Sequence, residues 1–62
     1  MKKLKCIIKD NARPKEIRGE EGYIDGYVYG GYGMTAIVYI PRQRKIQNIL
    51  LPQLEITGYV EI

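Results

Sequence analysis

Apolar and polar residues in this chain alternate in short runs, separated by glycine, proline and clusters of charge. From Lys3 to Lys9 the period is two. Leu4, Cys6 and Ile8 fall on one side, and Lys3, Lys5, Ile7 and Lys9 on the other, which predicts a half-buried strand. Its lysines suit a sheet edge, where charge discourages pairing with other chains. Residues 10–20, DNARPKEIRGE, are rich in turn formers and predict a long first loop with at most one helical turn, ended by Gly19 and held down by Ile17. A basic turn, Pro41 to Lys45, precedes a strand over residues 46–51 with Ile49 and Leu51 inward. The stretch Leu51-Pro52-Gln53-Leu54-Glu55 predicts a short 3₁₀ turn anchored by Leu54. A closing strand over residues 56–62 places Ile56, Gly58, Val60 and Ile62 on one face. Paired with the first strand, it sets Glu61 among Lys3 and Lys5.

The stretch Glu21–Ile40 carries the strongest signal, because it holds five of the six tyrosines and five of the seven glycines. Two strand-forming runs flank Gly30-Gly31-Tyr32-Gly33, the pattern of a β-hairpin. A four-residue loop over 30–33 pairs Tyr29 with Met34 and mixes tyrosines into the aliphatic face. A three-residue loop, Gly31-Tyr32-Gly33, pairs Val28 with Ala36, Gly26 with Val38 and Ile24 with Ile40. One face is then wholly aliphatic or glycine, and the other carries Tyr23, Asp25, Tyr27, Tyr29, Thr35, Ile37 and Tyr39. A slip of one residue reverses every side chain, so the cleaner partition is expected. The expected core is Cys6, Ile24, Val28, Ala36, Val38 and Leu54.

Composition narrows the function classes. Sixty-two residues make one domain, 1–62, and a chain this short buries only about 60% of its unfolded surface. The single Cys6 excludes an internal disulfide and favours a cytoplasmic, reducing compartment. The apolar run after the N-terminal lysines is too short for a signal peptide, and no stretch reaches membrane-spanning length. The chain lacks histidine, the commonest general base and metal ligand, so no cofactor, metal or enzymatic activity is expected. Cys6 faces inward without a histidine to activate it and reads as an inert core thiol. Gly19-Glu20-Glu21-Gly22 offers no phosphate loop: no helix follows, and its carboxylates repel anions. The net charge of +3 permits nucleic-acid contact without requiring it.

The order of pieces resembles the SH3-like small barrels. The resemblance is carried by Gly19-Glu20-Glu21-Gly22-Tyr23-Ile24, similar to the glycine-led second strand of KOW-type and nitrile-hydratase-β-like barrels. It is also carried by the alternating Ala36-Ile37-Val38-Tyr39, and by Leu51-Pro52-Gln53-Leu54-Glu55, similar to the turn before the closing strand. It implies an all-β, five-stranded SH3-like barrel with a long first loop and a 3₁₀ turn before the last strand. The ALYDY-like segment and tandem tryptophan of signalling SH3 domains are missing, which argues against proline-peptide recognition.

Two binding functions follow. In the first, Tyr23, Tyr27, Tyr29, Ile37 and Tyr39 form an outward patch for a protein partner or a second copy of the chain, since tyrosine offers large contact area with a polar tip. Tyr27, Ile37 and Tyr39 are expected side by side in that patch, Tyr27 opposite Ile37 and Tyr39 opposite Asp25. The alternative is RNA or single-stranded DNA, with Tyr27, Tyr29 and Tyr32 as stacking platforms beside Arg42, Arg44 and Lys45. KOW-type barrels often bind RNA, which this second reading shares.

Overall fold

A computed structural model of the chain describes residues 1–61. Five strands form: β1 (Lys2–Ile8), β2 (Glu21–Gly30), β3 (Gly33–Ile40), β4 (Lys45–Leu50) and β5 (Leu54–Glu61). Single 3₁₀ turns lie at Lys15–Ile17 and at Leu51–Gln53, the second where proline and Leu54 place it. All strand pairs are antiparallel, in the order β4-β3-β2-β1-β5, so the sheet is open with β4 and β5 as its edges. The closing strand β5 pairs with β1.

The inward face of this sheet forms the core. Cys6, Ile8, Ile24, Ala36, Val38, Ile40, Ile49 and Leu54 are buried, with Leu4 and Leu51 packed against them. Ala12 and Ile17 complete the core from the first loop, which runs back across the sheet. That loop is stitched down by Ile8 N–H to Glu20 C=O (3.0 Å) and Gly19 N–H to Ile8 C=O (2.7 Å). The Arg18 Nε donates to the Ala12 carbonyl at 2.7 Å.

The hairpin register departs from expectation. Its loop has two residues, Gly31 and Tyr32, and the ladder runs Gly30↔Gly33, Tyr29↔Met34, Val28↔Thr35, Tyr27↔Ala36 and Gly26↔Ile37. A bulge at Asp25 then shifts the register, so that Ile24 faces Val38 and Tyr23 faces Tyr39. The extra residue reverses the parity of β2 halfway along. The near half keeps Ile24 in the core, while the far half turns Tyr27 and Tyr29 to the inward side and Val28 to the outward side. Val28 is 45% exposed and lies outside the core, contrary to the sequence reading. Its burial was inferred from an unbroken ladder, and the bulge breaks it.

A second bulge, at Thr57, does the same to β5. Ile56 faces Cys6 and Gly58 faces Lys5, and Tyr59 comes opposite Leu4. Ile56 and Tyr59 therefore share the inward side, whereas Gly58 and Val60, expected there, turn outward. Ile62, expected on the same face, lies outside the described residues. The Thr57 hydroxyl donates to the Lys5 carbonyl at 3.2 Å across this irregularity. Glu61 sits opposite Lys2 and accepts a bond from the N-terminal amine at 3.1 Å, instead of lying among Lys3 and Lys5. Lys3 pairs with Asp25, and Lys5 with Glu21 at 3.0 Å. The Glu21 hydrogen bond holds the Lys5 ammonium above its ordinary pKa. In β4, Leu50 is the last strand residue and the half-buried Leu51 opens the 3₁₀ turn.

Cys6 is fully buried, and its thiol donates a weak hydrogen bond to the Gly22 carbonyl at 3.5 Å. Burial pushes its pKa above the ordinary thiol range. Native protein is expected to resist a thiol reagent at pH 8 and to react at once in denaturant. Rapid native labelling would show the site to be open. An unfolded thiol loses its proton at lower pH than the buried one, so the unfolded state binds fewer protons in that window. This contribution to stability accordingly falls as pH rises from 9.0, the ordinary thiol value, through the raised native one.

Candidate interaction surface

The five residues expected to form one outward patch are divided between the two faces of the sheet. Tyr23 and Tyr39 are cross-strand partners on the outward face, both half-buried. Ile37 is on the same face, opposite Gly26, and its Cδ1 lies 3.8 Å from where a Gly26 Cβ would stand. Tyr27 and Tyr29 occupy the other face, opposite Ala36 and Met34. Tyr27 is therefore not beside Ile37, and Tyr39 faces Tyr23 instead of Asp25. The two-residue turn sets Tyr27 against Ala36, and the Asp25 bulge then brings Tyr23 opposite Tyr39.

In place of a single patch, the fold builds an arm. Pairing between β1 and β2 ends at Leu4↔Ile24, but β2 continues to Gly30. Residues 26–30 thus pair with β3 alone and leave one strand edge uncovered. Most of the exposed apolar surface is concentrated on this arm: Tyr27 is 49% exposed, Tyr29 79% and Tyr32, at the turn, 95%, with Val28 and Met34 also exposed. No charged residue lies between Asp25 and Arg42. Gly33 opens β3 with φ of 114°, a conformation that glycine adopts without steric cost and that lets the short turn reverse the chain.

Sequence reasoning missed Ile56 and Tyr59. Both are exposed, Tyr59 at 72%, and the Thr57 bulge brings them to the same side of the sheet as Tyr27 and Tyr29. A period-two reading keeps Ile56 on this side but puts Tyr59 on the other, because the bulge changes phase between them. Gly58, with φ of 149°, is the one local mark of that irregularity.

The basic residues lie elsewhere. Arg42, Arg44 and Lys45 follow the far end of β3, whereas Tyr32 precedes its start. Eight extended residues span about 25 Å at the usual strand rise. The turn over residues 41–44 is clamped to the first loop, where the Gln43 side-chain amide donates to the Glu16 carbonyl at 2.8 Å and the Glu20 carboxylate at 3.2 Å. Aromatic platform and cations are not brought together.

An open depression lined by Ile7, Ile8, Lys9, Asp10, Asn11, Gly19 and Glu55 contains no nucleophile beside a base. Among the described residues, no helix is long and apolar enough to cross a membrane. Comparisons with protein families, with curated proteins and with solved structures find no match.

Proposed function

We propose that this chain is a non-catalytic protein-binding module built on an SH3-like barrel, with the β2–β3 arm as its contact surface. The observation that carries this reading is the arm itself, a charge-free edge bearing Tyr27, Tyr29 and Tyr32 in water. A small domain gains no stability from exposing such residues, and contiguous exposed apolar area marks interaction sites. Tyrosine is among the residues enriched where binding energy concentrates. Tyr23, Ile37 and Tyr39 are half-buried on the outward face and lie outside this surface.

The test is a double substitution, Tyr27→Ser with Tyr29→Ser. Neither side chain enters the core, so the melting temperature should change little while protein association is lost. Capture from lysate of the source cell, with wild type and variant side by side, reads the association. A collapsed melting temperature would assign the tyrosines to the fold instead. A labelled single-stranded oligonucleotide, titrated at about 50 and 200 mM salt, tests the nucleic-acid alternative. Strong binding that falls steeply with salt would replace the protein-binding reading.

A further inference from the structure

The arm has a property that exposure alone does not require. Its free-edge segment reads Gly26-Tyr27-Val28-Tyr29-Gly30, a palindrome centred on Val28. An antiparallel pair of identical strands related by a two-fold axis matches residue 28 + n with residue 28 − n. Centred on Val28, such a pairing sets valine against valine, each tyrosine against a tyrosine and each glycine against a glycine. We infer that the occupant of this edge is a second copy of the chain, joined through residues 26–30 into a two-fold dimer with a sheet continuous across the axis. The inference rests on the binding-module reading and names its partner.

The hydrogen bonding fits. The two-residue turn makes Gly30 and Gly33 the closing hydrogen-bonded pair, and bonded pairs then alternate along the ladder. Val28 therefore directs its N–H and C=O to Thr35, while those of Tyr27 and Tyr29 point to the uncovered edge. Across the axis Tyr27 meets the partner's Tyr29 in a bonded pair, and Tyr29 meets the partner's Tyr27. About four main-chain hydrogen bonds form without disturbing the hairpin. Val28 sits at a non-bonded position, where opposed side chains come within about 5 Å.

The area fits as well. The exposed parts of Tyr27, Val28, Tyr29, Tyr32 and Met34 come to on the order of 600 Å² per protomer, given 150–250 Å² for each aromatic. A pair that covered all of it would bury about 1,200 Å² in total, the lower end of the range for specific interfaces. The closest charge, Asp25, is already neutralised by Lys3 and does not oppose its symmetry mate. Natural edges are usually guarded by lysine, proline or a bulge that turns them away. Here the bulge lies before the edge and no guard lies on it.

Sedimentation equilibrium of the full chain, over roughly 1 µM to 1 mM, measures the association. Wild type is expected to pass from monomer to dimer in that range. Val28→Lys and Val28→Glu each oppose like charges across the axis and should weaken dimerisation about tenfold or more. An equimolar mixture of the two should associate again, because lysine then faces glutamate. Val28 is on the solvent side of the sheet, so thermal melts of both variants should match wild type. A wild type that stays monomeric throughout overturns the dimer, as do Val28 variants that dimerise undiminished. If wild type is monomeric yet lysate capture still depends on Tyr27 and Tyr29, the binding-module reading survives with a different partner. If capture fails too, both readings fall.

Discussion

Gly22→Ala is expected to lower the stability of this domain by about 2–3 kcal/mol, the range for an overpacked core. A β-carbon at Gly22 would stand 2.4 Å from Val38 Cγ1 and 3.1 Å from the Tyr39 carbonyl oxygen. Val38 is fully buried and, being β-branched, has little rotamer freedom with which to retreat. Alanine ordinarily gains stability over glycine within a strand, so the sign of the effect is diagnostic of the close approach. A domain of this length has about 3–9 kcal/mol in all, and the melting temperature should drop on the order of 10–20 °C. Val38→Ala alone should cost about 2 kcal/mol by leaving a cavity. It also removes the clashing methyl, so the double variant should be more stable than the two single costs imply, by about 1–2 kcal/mol. Strict additivity in denaturant melts would show that Gly22 and Val38 do not touch.

Ile17→Ala is the second large effect, at about 3 kcal/mol. Ile17 is fully buried and, with Ala12, is what the first loop contributes to the core. Truncation leaves a void beneath the 3₁₀ turn at Lys15–Ile17 and weakens the attachment of residues 10–20. Local opening should then exceed global unfolding, and trypsin should cut at Lys15 and Arg18 well before the sheet melts. Ile17→Val, which keeps most of the packing, should cost about 1 kcal/mol. Gln43→Ala, which removes the bonds to Glu16 and Glu20 from an exposed surface, should cost about the same. An Ile17→Ala variant that melts and resists trypsin like wild type would show the loop to be held by its backbone hydrogen bonds alone.

Both residues illustrate how unevenly the fold could be read. Ile17 is the single large apolar residue in a polar loop, so its burial followed from composition. Gly22 stands in a stretch read only for its glycine-led entry into the second strand, and its tight seat against Val38 depends on a register that the pattern does not supply. The same contrast holds for the candidate surface. Tyr27 and Tyr29 are exposed, as expected, but on the opposite side of the sheet from the one their alternation assigned. Their separation from Ile37 and Tyr39 was not legible, and neither was the company of Tyr59.

The alternation of Leu4, Cys6 and Ile8, the hairpin glycines and the Leu51-Pro52 turn determined an all-β chain and the number of its strands, and Ile17 determined the anchoring of the first loop. These are local matters, in which each residue's preference acts within a few positions. Only the tertiary structure decided which side each tyrosine takes. The phase of a strand is set by where it must meet its neighbour, and the bulges at Asp25 and Thr57 each insert one residue to satisfy packing on both sides of it. The uncovered edge of β2 was likewise decided by the reach of another strand, since it begins where the pairing of β1 stops. A palindrome is visible in the letters, but it becomes a surface only because β1 ends its pairing at Leu4 and leaves residues 26–30 with one side open.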